Sequence, residues 1–398
     1  MLRRSSAFRG VADLLWAQVA SQMGDAAFGV LLIWAVLEMT DSKPVVGAVA
    51  TLNYLPVLLF GMVGGLAADR ASRRGIMVAS DSARAAIALS LPLLGAAGLL
   101  GPWVLAAAGF ALFTASAFFN PARDAAVPSL VAAEDLVAAN SIVQISVPLG
   151  WLFGPALCTL FLAWVPVVEL FTGCGVLFLV SVAFLARLPR TPVTPHGGEP
   201  ALAALAAGLR VAWRDVRLRW LLVITAVDNL FIMGPAVVGT PLFVKGILHA
   251  PGQVYALAEA TLALGVVVGL PLTARLNRAV SQGRVLILGI LLDGITYLPL
   301  LWVSSAAGLC TAMALHGVSI PMITVTRASL VQRITPAGQL GRVFALISIG
   351  VTGLTAVSSG LTGVAAALVP VNVIFGAIAV LAALCAPAAW SSREFRDA

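Results

Sequence analysis

Residues 65–74 of this 398-residue chain read Gly65-Leu-Ala-Ala-Asp69-Arg70-Ala-Ser-Arg73-Arg74 and place four charged side chains at the junction of two apolar runs. The runs cover 45–67 and 76–96, and each is close to the roughly 20 apolar residues that cross a bilayer. Backbone polar groups in lipid must be hydrogen-bonded within the chain, which makes such runs helices. The stretch therefore predicts a tight charged loop between two membrane helices.

The same pattern extends along the whole chain. Hydrophobic residues make up 60% of the sequence, charged residues 10%, and the mean hydropathy is +1.02, whereas soluble domains are about 25% charged. The sequence predicts an all-α membrane protein with twelve transmembrane helices in two six-helix pseudo-symmetric bundles. The predicted helices cover 12–37, 45–67, 76–96, 102–121, 137–163, 167–187, 218–244, 252–274, 284–303, 306–328, 340–366 and 371–390.

A stretch rich in proline, glycine and arginine separates the two halves. It predicts an N-terminal bundle at 1–188, a cytoplasmic linker at 189–216 and a C-terminal bundle at 217–398. The two outer-loop lysines each follow the first helix of a half. In addition, Gly65-Leu-Ala-Ala-Asp69-Arg70 has a degraded counterpart at Leu270-Pro-Leu-Thr-Ala-Arg275. Two related six-helix halves are the plan of many secondary transporters, which bind substrate near the bilayer midplane.

The positions of lysine and arginine predict the orientation. With both termini on the same side, 21 of the 24 basic residues fall in the segments on that side, and Arg84 lies within the third helix. The opposite loops contain only Lys43 and Lys245. Because cytoplasmic loops carry the excess of basic residues, both termini are predicted to be cytoplasmic. The preference for arginine over lysine and the abundant alanine are typical of a GC-rich bacterial genome, so we expect a multi-pass protein of the bacterial cytoplasmic membrane.

The loop at 65–74 resembles the loop signature of the major facilitator superfamily, Gly-x-x-x-Asp-Arg-x-Gly-x-Arg-Arg, with one residue fewer and Ser72 near the second glycine. The resemblance implies a monomeric transporter that works by alternating access. It also implies a cytoplasmic gate, in which Asp69 accepts hydrogen bonds at a helix N-terminus. Asp81 and Arg84, three residues apart on the third helix, are expected to form an intramembrane pair that supports this gate. The predicted gate residues are Gly65, Asp69, Arg70, Arg73, Arg74, Asp81 and Arg84.

The fifth helix carries a second motif. Gly150-Trp-Leu-Phe-Gly154-Pro155 resembles part of the signature of exporters in this superfamily, Gly-x-x-x-Gly-Pro-x-x-Gly-Gly, with Cys158 and Thr159 in place of the last two glycines. Small residues allow close helix approach, so a general packing seam is the alternative interpretation. Further segments, among them Gly24-Asp25 and Phe119-Asn120-Pro121-Ala122, resemble the branch that contains macrolide-efflux and enterobactin-exporter proteins.

Acidic residues within the predicted helices are the candidates for proton coupling, because ionisable groups at membrane depth are costly and usually functional. Asp25 shares a helix face with Gln18 and Gln22, at spacings of seven and three residues. Asp228 is its approximate counterpart in the seventh helix, and Glu259 lies in the eighth. We expect Asp25, then Asp228 and Glu259, to bind and release the coupling proton. A structural role at a helix contact is the alternative for Asp25.

Two further ionisable residues lie in the second half. Asp293 is a weaker counterpart of Asp81, and His316 is interpreted as a packing residue, with a proton relay as the alternative. Polar, aromatic and flexible side chains at helical spacing predict the lining of a substrate cavity. These residues are Gln18, Gln22, Asn53, Tyr54, Asn140, Gln144, Phe231, Tyr255, Met322 and Thr352.

The sequence favours a proton-driven exporter of small amphipathic compounds, such as a drug, a macrolide, a siderophore or another natural product. An importer or facilitator of a small polar nutrient on the same fold is the alternative, although such cavities usually carry more polar groups. A membrane-embedded enzyme is disfavoured because the chain has three histidines without metal-ligand spacing and no glycine-rich loop before a lysine. No cofactor, metal or nucleic acid is expected. A non-transporting receptor remains a further alternative.

Overall fold

The computed structural model describes residues 5–132, 135–189, 209–210, 212–336 and 339–398. Every regular element in these ranges is helical. The first half contains α1 (Ser5–Thr40), α2 (Lys43–Arg70), α3 (Arg73–Ala96), α4 (Pro102–Ala126), α5 in two segments (Leu136–Gln144 and Ser146–Phe161) and α6 (Phe171–Leu185).

The second half begins with α7, which combines Val216–Val227, two π-helical turns at Asp228–Ile232 and Pro235–Gly239, and Thr240–Gly246. It continues with α8 (Gly252–Ala279), α9 (Gln282–Ile295), α10 (Ala306–Ile334), α11 (Leu340–Leu368) and α12 (Val371–Ser391), and a short α13 (Arg393–Arg396) follows.

Among the described residues, eleven helices are long and apolar enough to cross a membrane, and α6 is a shorter apolar helix of 15 residues. Together they make the twelve membrane helices that the sequence predicts. Two details differ from the sequence analysis. Helix α5 is interrupted at Ile145, and α7 changes to π-helical turns from Asp228 onward. At both points the sequence contains polar residues, and the hydrophobic pattern does not distinguish a continuous α-helix from a local change in helix geometry.

Local sequence explains where several helices begin. The Ser72 hydroxyl accepts a hydrogen bond from Gly75 N at 3.2 Å and caps α3, and Ser305 caps α10 in the same way through Gly308 N. Pro102 opens α4, where its missing N–H costs nothing. Asp215 caps α7 by accepting from Arg217 N at 2.8 Å.

Asp215 also forms a two-point ion pair on the chain segment before α7. Arg217 Nη2 lies 2.6 Å from Asp215 Oδ2, and Arg217 Nε lies 3.0 Å from Asp215 Oδ1. These hydrogen bonds lower the pKa of Asp215 below its ordinary value, because they stabilise the ionised carboxylate.

The chain divides into two compact units. The first comprises Met1–Asp41 and Leu52–Gly198, and the second comprises Ser42–Thr51 and Glu199–Ala398. The beginning of α2 therefore belongs with the second half of the chain. There, Lys43 Nζ donates to Ala366 O at 2.8 Å, and Thr51 Oγ1 donates to Ala356 O at 2.9 Å. Most of the predicted linker, 189–216, lies outside the described residues.

Within the first unit, α1 packs against the second segment of α5 and against α6, while α3 packs against α4 and α6. A buried cluster that includes Leu14, Met77, Phe119 and Leu185 fills the space between these helices. Large apolar side chains elsewhere are exposed, as Leu93 of α3 is at 71%. Exposed apolar side chains on membrane helices suit contact with lipid tails.

Within the second unit, α8 packs against α10, α9 packs against α10 and α12, and α11 packs along α7. Phe395 of α13 is fully buried in a core cluster with Leu218, Leu286 and Val343. The buried polar side chains of this unit lie mainly on α7, α10 and α11, and α9 contributes Asp293.

Candidate functional site

A buried ion cluster lies inside the first unit. Arg84 on α3 is 1% exposed, and its Nη1 lies 3.1 Å from both carboxylate oxygens of Asp25 on α1. Its Nη2 lies 3.2 Å from Asp81 Oδ1, one turn earlier on α3. Ser21 completes the cluster by accepting from Arg84 at 3.1 Å and donating to Asp81 at 3.2 Å. One guanidinium thus holds two carboxylates from neighbouring helices.

Aromatic rings surround the same guanidinium. Arg84 Cζ lies 4.6 Å from the ring centre of Phe119 and 5.2 Å from that of Phe178. Ring faces attract a cation, and a charge within a membrane helix needs such compensation. The sequence analysis assigned Asp25 to proton coupling and the Asp81–Arg84 pair to the gate. The structure brings all three residues together in one cluster.

The glycine motif of α5 packs directly against α1. A Cβ atom at Gly154 would lie 2.7 Å from Met23 O and 3.0 Å from Ala26 Cβ, and one at Gly150 would overlap Gln22. Pro155 is buried at the same contact. The absence of side chains at these glycines therefore sets how closely α5 approaches the segment of α1 that carries Asp25.

A second buried polar cluster lies inside the second unit. Asp228 opens the π-helical turn of α7 and is 7% exposed, while Asp293 on α9 is 3% exposed. The two carboxyl groups lie within hydrogen-bonding reach of each other. Asn229, next to Asp228, donates to Thr225 O at 2.8 Å and accepts from Thr355 of α11 at 3.2 Å. Single π-helical turns within α-helices, such as the one that begins at Asp228, occur frequently at functional sites.

His316 on α10 joins this cluster to an aromatic side chain. Its Nε2 lies 3.1 Å from the Tyr297 hydroxyl, and its Nδ1 lies 3.1 Å from Thr296 Oγ1 and 3.5 Å from Asp293 Oδ1. Ser319 Oγ donates to Asp293 Oδ1 at 2.9 Å. His316 is therefore packed, as interpreted from the sequence, and its ring also connects two hydrogen-bonding groups.

Glu259 on α8 is partly buried and forms no hydrogen bond or ion pair with another described residue. It lies near enough to Tyr297 for an electrostatic interaction. The three acids predicted for proton coupling thus occupy different surroundings. Asp25 is bound to an arginine, Asp228 contacts a second acid, and Glu259 has no hydrogen-bond or ion-pair partner among the described residues.

The predicted gate residues other than Asp81 and Arg84 lie at or near the junction of α2 and α3. Arg70 ends α2 and is exposed, whereas Arg73 and Arg74 open α3. Arg74 Nη2 donates to Ala186 O at 2.5 Å, just past the end of α6. The Asp69 side chain lies outside the part that the structure describes. Gly65 faces open space, and the neighbouring Gly64 instead packs against Ala117 O of α4.

The predicted cavity residues differ in exposure. Gln18, Gln22, Asn53, Tyr255 and Met322 are buried, Tyr54 and Thr352 are partly buried, and Asn140, Gln144 and Phe231 are exposed. Gln18 is fully buried, and its amide has no hydrogen-bond partner among the described residues.

The sequence analysis missed the role of Ser21 in the first cluster and the contact between Asp228 and Asp293. One signal for the second contact was present. Asp81 and Asp293 both lie on the third helix of their halves, and Asp25 and Asp228 both lie on the first. The proximity of Asp25 and Asp81 in the first half therefore indicated that Asp228 and Asp293 would lie close together in the second. No group of three or more potential metal ligands occurs within the described ranges.

Twelve apolar helices, with ionisable clusters buried among them, define a polytopic membrane transporter. The chain matches the family described as transmembrane secretion effector over residues 4–397, and it belongs to this family of the major facilitator superfamily. It is a transporter and not an enzyme.

Curated relatives agree with this assignment. The chain is 25% identical to Macrolide efflux protein A of Streptococcus pyogenes over 341 residues, which cover 83% of each chain. It is 27% identical to Enterobactin exporter EntS of Salmonella typhimurium over 385 residues, which cover 93% of this chain and 88% of the relative.

Solved structures show the same fold at low sequence identity. A POT family transporter in complex with a thioalcohol-conjugated peptide has a TM-score of 0.78 at 12% identity, with 96% of both chains covered. The nucleoside transporter NupG has a TM-score of 0.75 at 11% identity, with 95% of this chain and 98% of that chain covered. At this level of identity the similarity establishes the fold alone.

Proposed function

We propose that the protein is a secondary active transporter that exports small amphipathic compounds in exchange for protons by alternating access. Its substrate class would be a drug, a macrolide, a siderophore or another natural product. Two relatives that are named as an efflux protein and an exporter support the direction of transport. The packing of Gly150 and Gly154 against α1 is compatible with the exporter motif of α5.

The observation that carries proton coupling is an excess of acidic side chains deep within the helices. Counting residues about two turns or more from the ends of their spans, the described part of the chain has five acids and two arginines. They are Asp25, Asp81, Asp228, Glu259 and Asp293 against Arg84 and Arg327. If all were ionised, three negative charges would have no buried counter-charge. Because such charges are very costly in lipid, these acids are suited to binding protons.

The proposed substrate contacts combine amide and aromatic side chains. Gln18, Gln22 and Asn53 can bond a few polar groups, whereas Phe231 and Met322 offer apolar surface. Sites for small molecules are mostly apolar with a small number of placed polar groups. Glu259, which has no partner among the described residues, would attract a basic group on such a compound.

The charged loop between α2 and α3 would form the cytoplasmic gate. In this proposal both termini and the linker at 189–216 are cytoplasmic, in keeping with the excess of basic residues in those segments. The protein would act as a monomer in the bacterial cytoplasmic membrane, and its two halves would be the bundles at 1–188 and 217–398.

Compound accumulation in cells tests this function. A bacterial strain without its main efflux pumps would express the protein or carry the empty vector, and ethidium and a macrolide would be measured with and without an uncoupler. We expect lower accumulation with the protein, restored by the uncoupler. Higher accumulation would indicate import, and an uncoupler-insensitive decrease would contradict proton coupling.

A further inference from the structure

The contact between the Asp228 and Asp293 side chains requires a proton on one of the two carboxyl groups. Both side chains are buried, at 7% and 3% exposed, and their carboxyl groups lie within hydrogen-bonding reach of each other. An ionised carboxylate only accepts hydrogen bonds, so two ionised carboxylates have no hydrogen to share. Two buried carboxyl groups that share one site do not both ionise, because their negative charges would repel each other. The pair as it stands in the structure therefore needs one bound proton.

Among the described residues, no arginine or lysine forms an ion pair with either acid of this pair. In the first half, Arg84 lies three residues after Asp81 and bonds both Asp81 and Asp25. In the second half, the residue three positions after Asp293 is Thr296. The first half therefore sets one permanent positive charge against its two acids, whereas the second half has a hydroxyl at the corresponding position.

The charged groups on the surrounding helices do not change this conclusion. On α10, the Arg327 guanidinium donates to Thr225 Oγ1 at 3.5 Å. It is near enough to Asp228 for an electrostatic interaction, but it forms no ion pair with either acid among the described residues. Glu259 on α8 adds a further negative charge near Tyr297. On α11, the neighbour is Thr355, which bonds Asn229 and carries no charge.

His316 connects the pair to a hydroxyl. One ring nitrogen lies 3.1 Å from Tyr297 Oη, and the other lies 3.5 Å from Asp293 Oδ1 and 3.2 Å from Asp293 O. A neutral imidazole donates at one nitrogen and accepts at the other. With one nitrogen donating to Asp293 O, the other accepts from the Tyr297 hydroxyl, and the ring holds Asp293 in place against Tyr297.

We propose that the Asp228–Asp293 pair binds the coupling proton and that His316 is a positioning residue for this proton. In one state the pair takes a proton from water, and one carboxylate becomes a carboxylic acid bonded to the other. In the other state that acid returns the proton to water, and the carboxylate is restored. This inference rests on the proposed function, since it identifies where the proton of the antiport is held.

Infrared difference spectroscopy tests proton binding without a transported compound. Purified protein would be titrated, and the carbonyl stretch of protonated carboxylic acids would be followed. We expect a titrating band in the wild type that changes in Asp228→Asn and in Asp293→Asn. In each variant the amide donates to the remaining carboxylate, so that the pair no longer needs a bound proton. A band that is unchanged in both variants would overturn the proposal.

Transport by proteoliposomes then separates this proposal from the proposed function, with ethidium as the probe. We expect Asp228→Asn and Asp293→Asn to lose uphill accumulation driven by a pH gradient while they keep ethidium exchange without a gradient. If the wild type shows no gradient-driven accumulation, the proposed function fails. If the wild type accumulates ethidium and both variants still do so, the pair is not the coupling site.

The role of His316 has a matched control. His316→Asn should shift the pH profile of gradient-driven accumulation by about one unit, the size of a typical change in environment. His249→Asn changes an exposed histidine in the loop after α7, where asparagine tolerates the positive φ of 48°, and should leave the profile unchanged. A loss of rate at an unchanged profile in His316→Asn would show a merely structural role.

Discussion

Arg84 Nη1 lies 3.1 Å from both carboxylate oxygens of Asp25, which joins α3 to α1 inside the first unit. Asp81 lies 3.2 Å from the other end of the same guanidinium. Because arginine keeps its charge at all physiological pH values, this cluster is a fixed connection between helices. Asp25 thereby has a permanently charged partner that its position in the sequence did not reveal.

Removing this arginine should destabilise the first unit. Arg84→Leu leaves two buried carboxylates without their cation, and breaking a buried ion pair from one side typically costs about 3–5 kcal/mol. We expect a clearly lower Tm for the purified protein in detergent. The triple variant Arg84→Leu with Asp25→Asn and Asp81→Asn should recover part of the loss, because no uncompensated charge remains. An Arg84→Leu variant with the wild-type Tm would contradict this interpretation.

The close approach of α5 to α1 gives a second prediction. Gly154→Ala places a Cβ atom 2.7 Å from the backbone oxygen of Met23, so a helix must shift, and overpacking of this kind costs about 1–3 kcal/mol. The matched control is Gly173→Ala in α6, where nothing lies within 4 Å of the new atom. We expect Gly154→Ala to lower the Tm and reduce transport, and Gly173→Ala to do neither. Equal effects of the two variants would show that the motif has no special packing role.

The ion pair before α7 predicts a pH effect on stability. The pKa of Asp215 is lowered by hydrogen bonds from Arg217, so the carboxylate stabilises the folded state above its unfolded pKa. This contribution is lost as the pH falls through the lower folded pKa, below about pH 4. Asp215→Asn keeps a good helix cap but removes this titration. The difference in Tm between the wild type and Asp215→Asn should therefore shrink as the pH falls below that value, and a constant difference would contradict it.

The orientation of the chain can be tested with single cysteines. In a variant without the four native cysteines, Gly197→Cys in the linker should react with an impermeant thiol reagent only in inside-out vesicles. Ala250→Cys, between α7 and α8, should react in intact cells. Labelling of the linker cysteine in intact cells would overturn the predicted topology. The native positions to be replaced are Cys158, Cys174, Cys310 and Cys385.

The twelve helices were predictable from the sequence because each depends on a local property, the length of an apolar run. The interruption of α5 at Ile145 and the π-helical turn at Asp228 were not, since the polar residues at these points, such as Asp228 and Asn229, are equally compatible with a continuous α-helix. The Asp81–Arg84 pair was also local, with a spacing of three residues on one helix. The second carboxylate of the cluster, Asp25, is separated from Arg84 by 59 residues, and only tertiary packing brings these two residues together.

The glycine motifs show the same limit. The sequence singled out Gly65 in the gate signature, but the residue that packs tightly on α4 is Gly64. One position along a helix rotates a residue by about 100°, so the motif could not decide between two adjacent glycines. Likewise, Asp228 and Asp293 were both visible as membrane acids, and their contact depends on how α7 and α9 are aligned.

The most direct test of the central claim is transport against a gradient by the purified protein. Proteoliposomes with an acidic lumen and trapped pyranine would receive ethidium from outside, next to protein-free liposomes. Proton-driven export predicts accumulation of ethidium above its equilibrium level, together with a rise in luminal pH, and both should be abolished by nigericin. Ethidium that reaches the same level with and without the pH gradient, with no change in luminal pH, would contradict it.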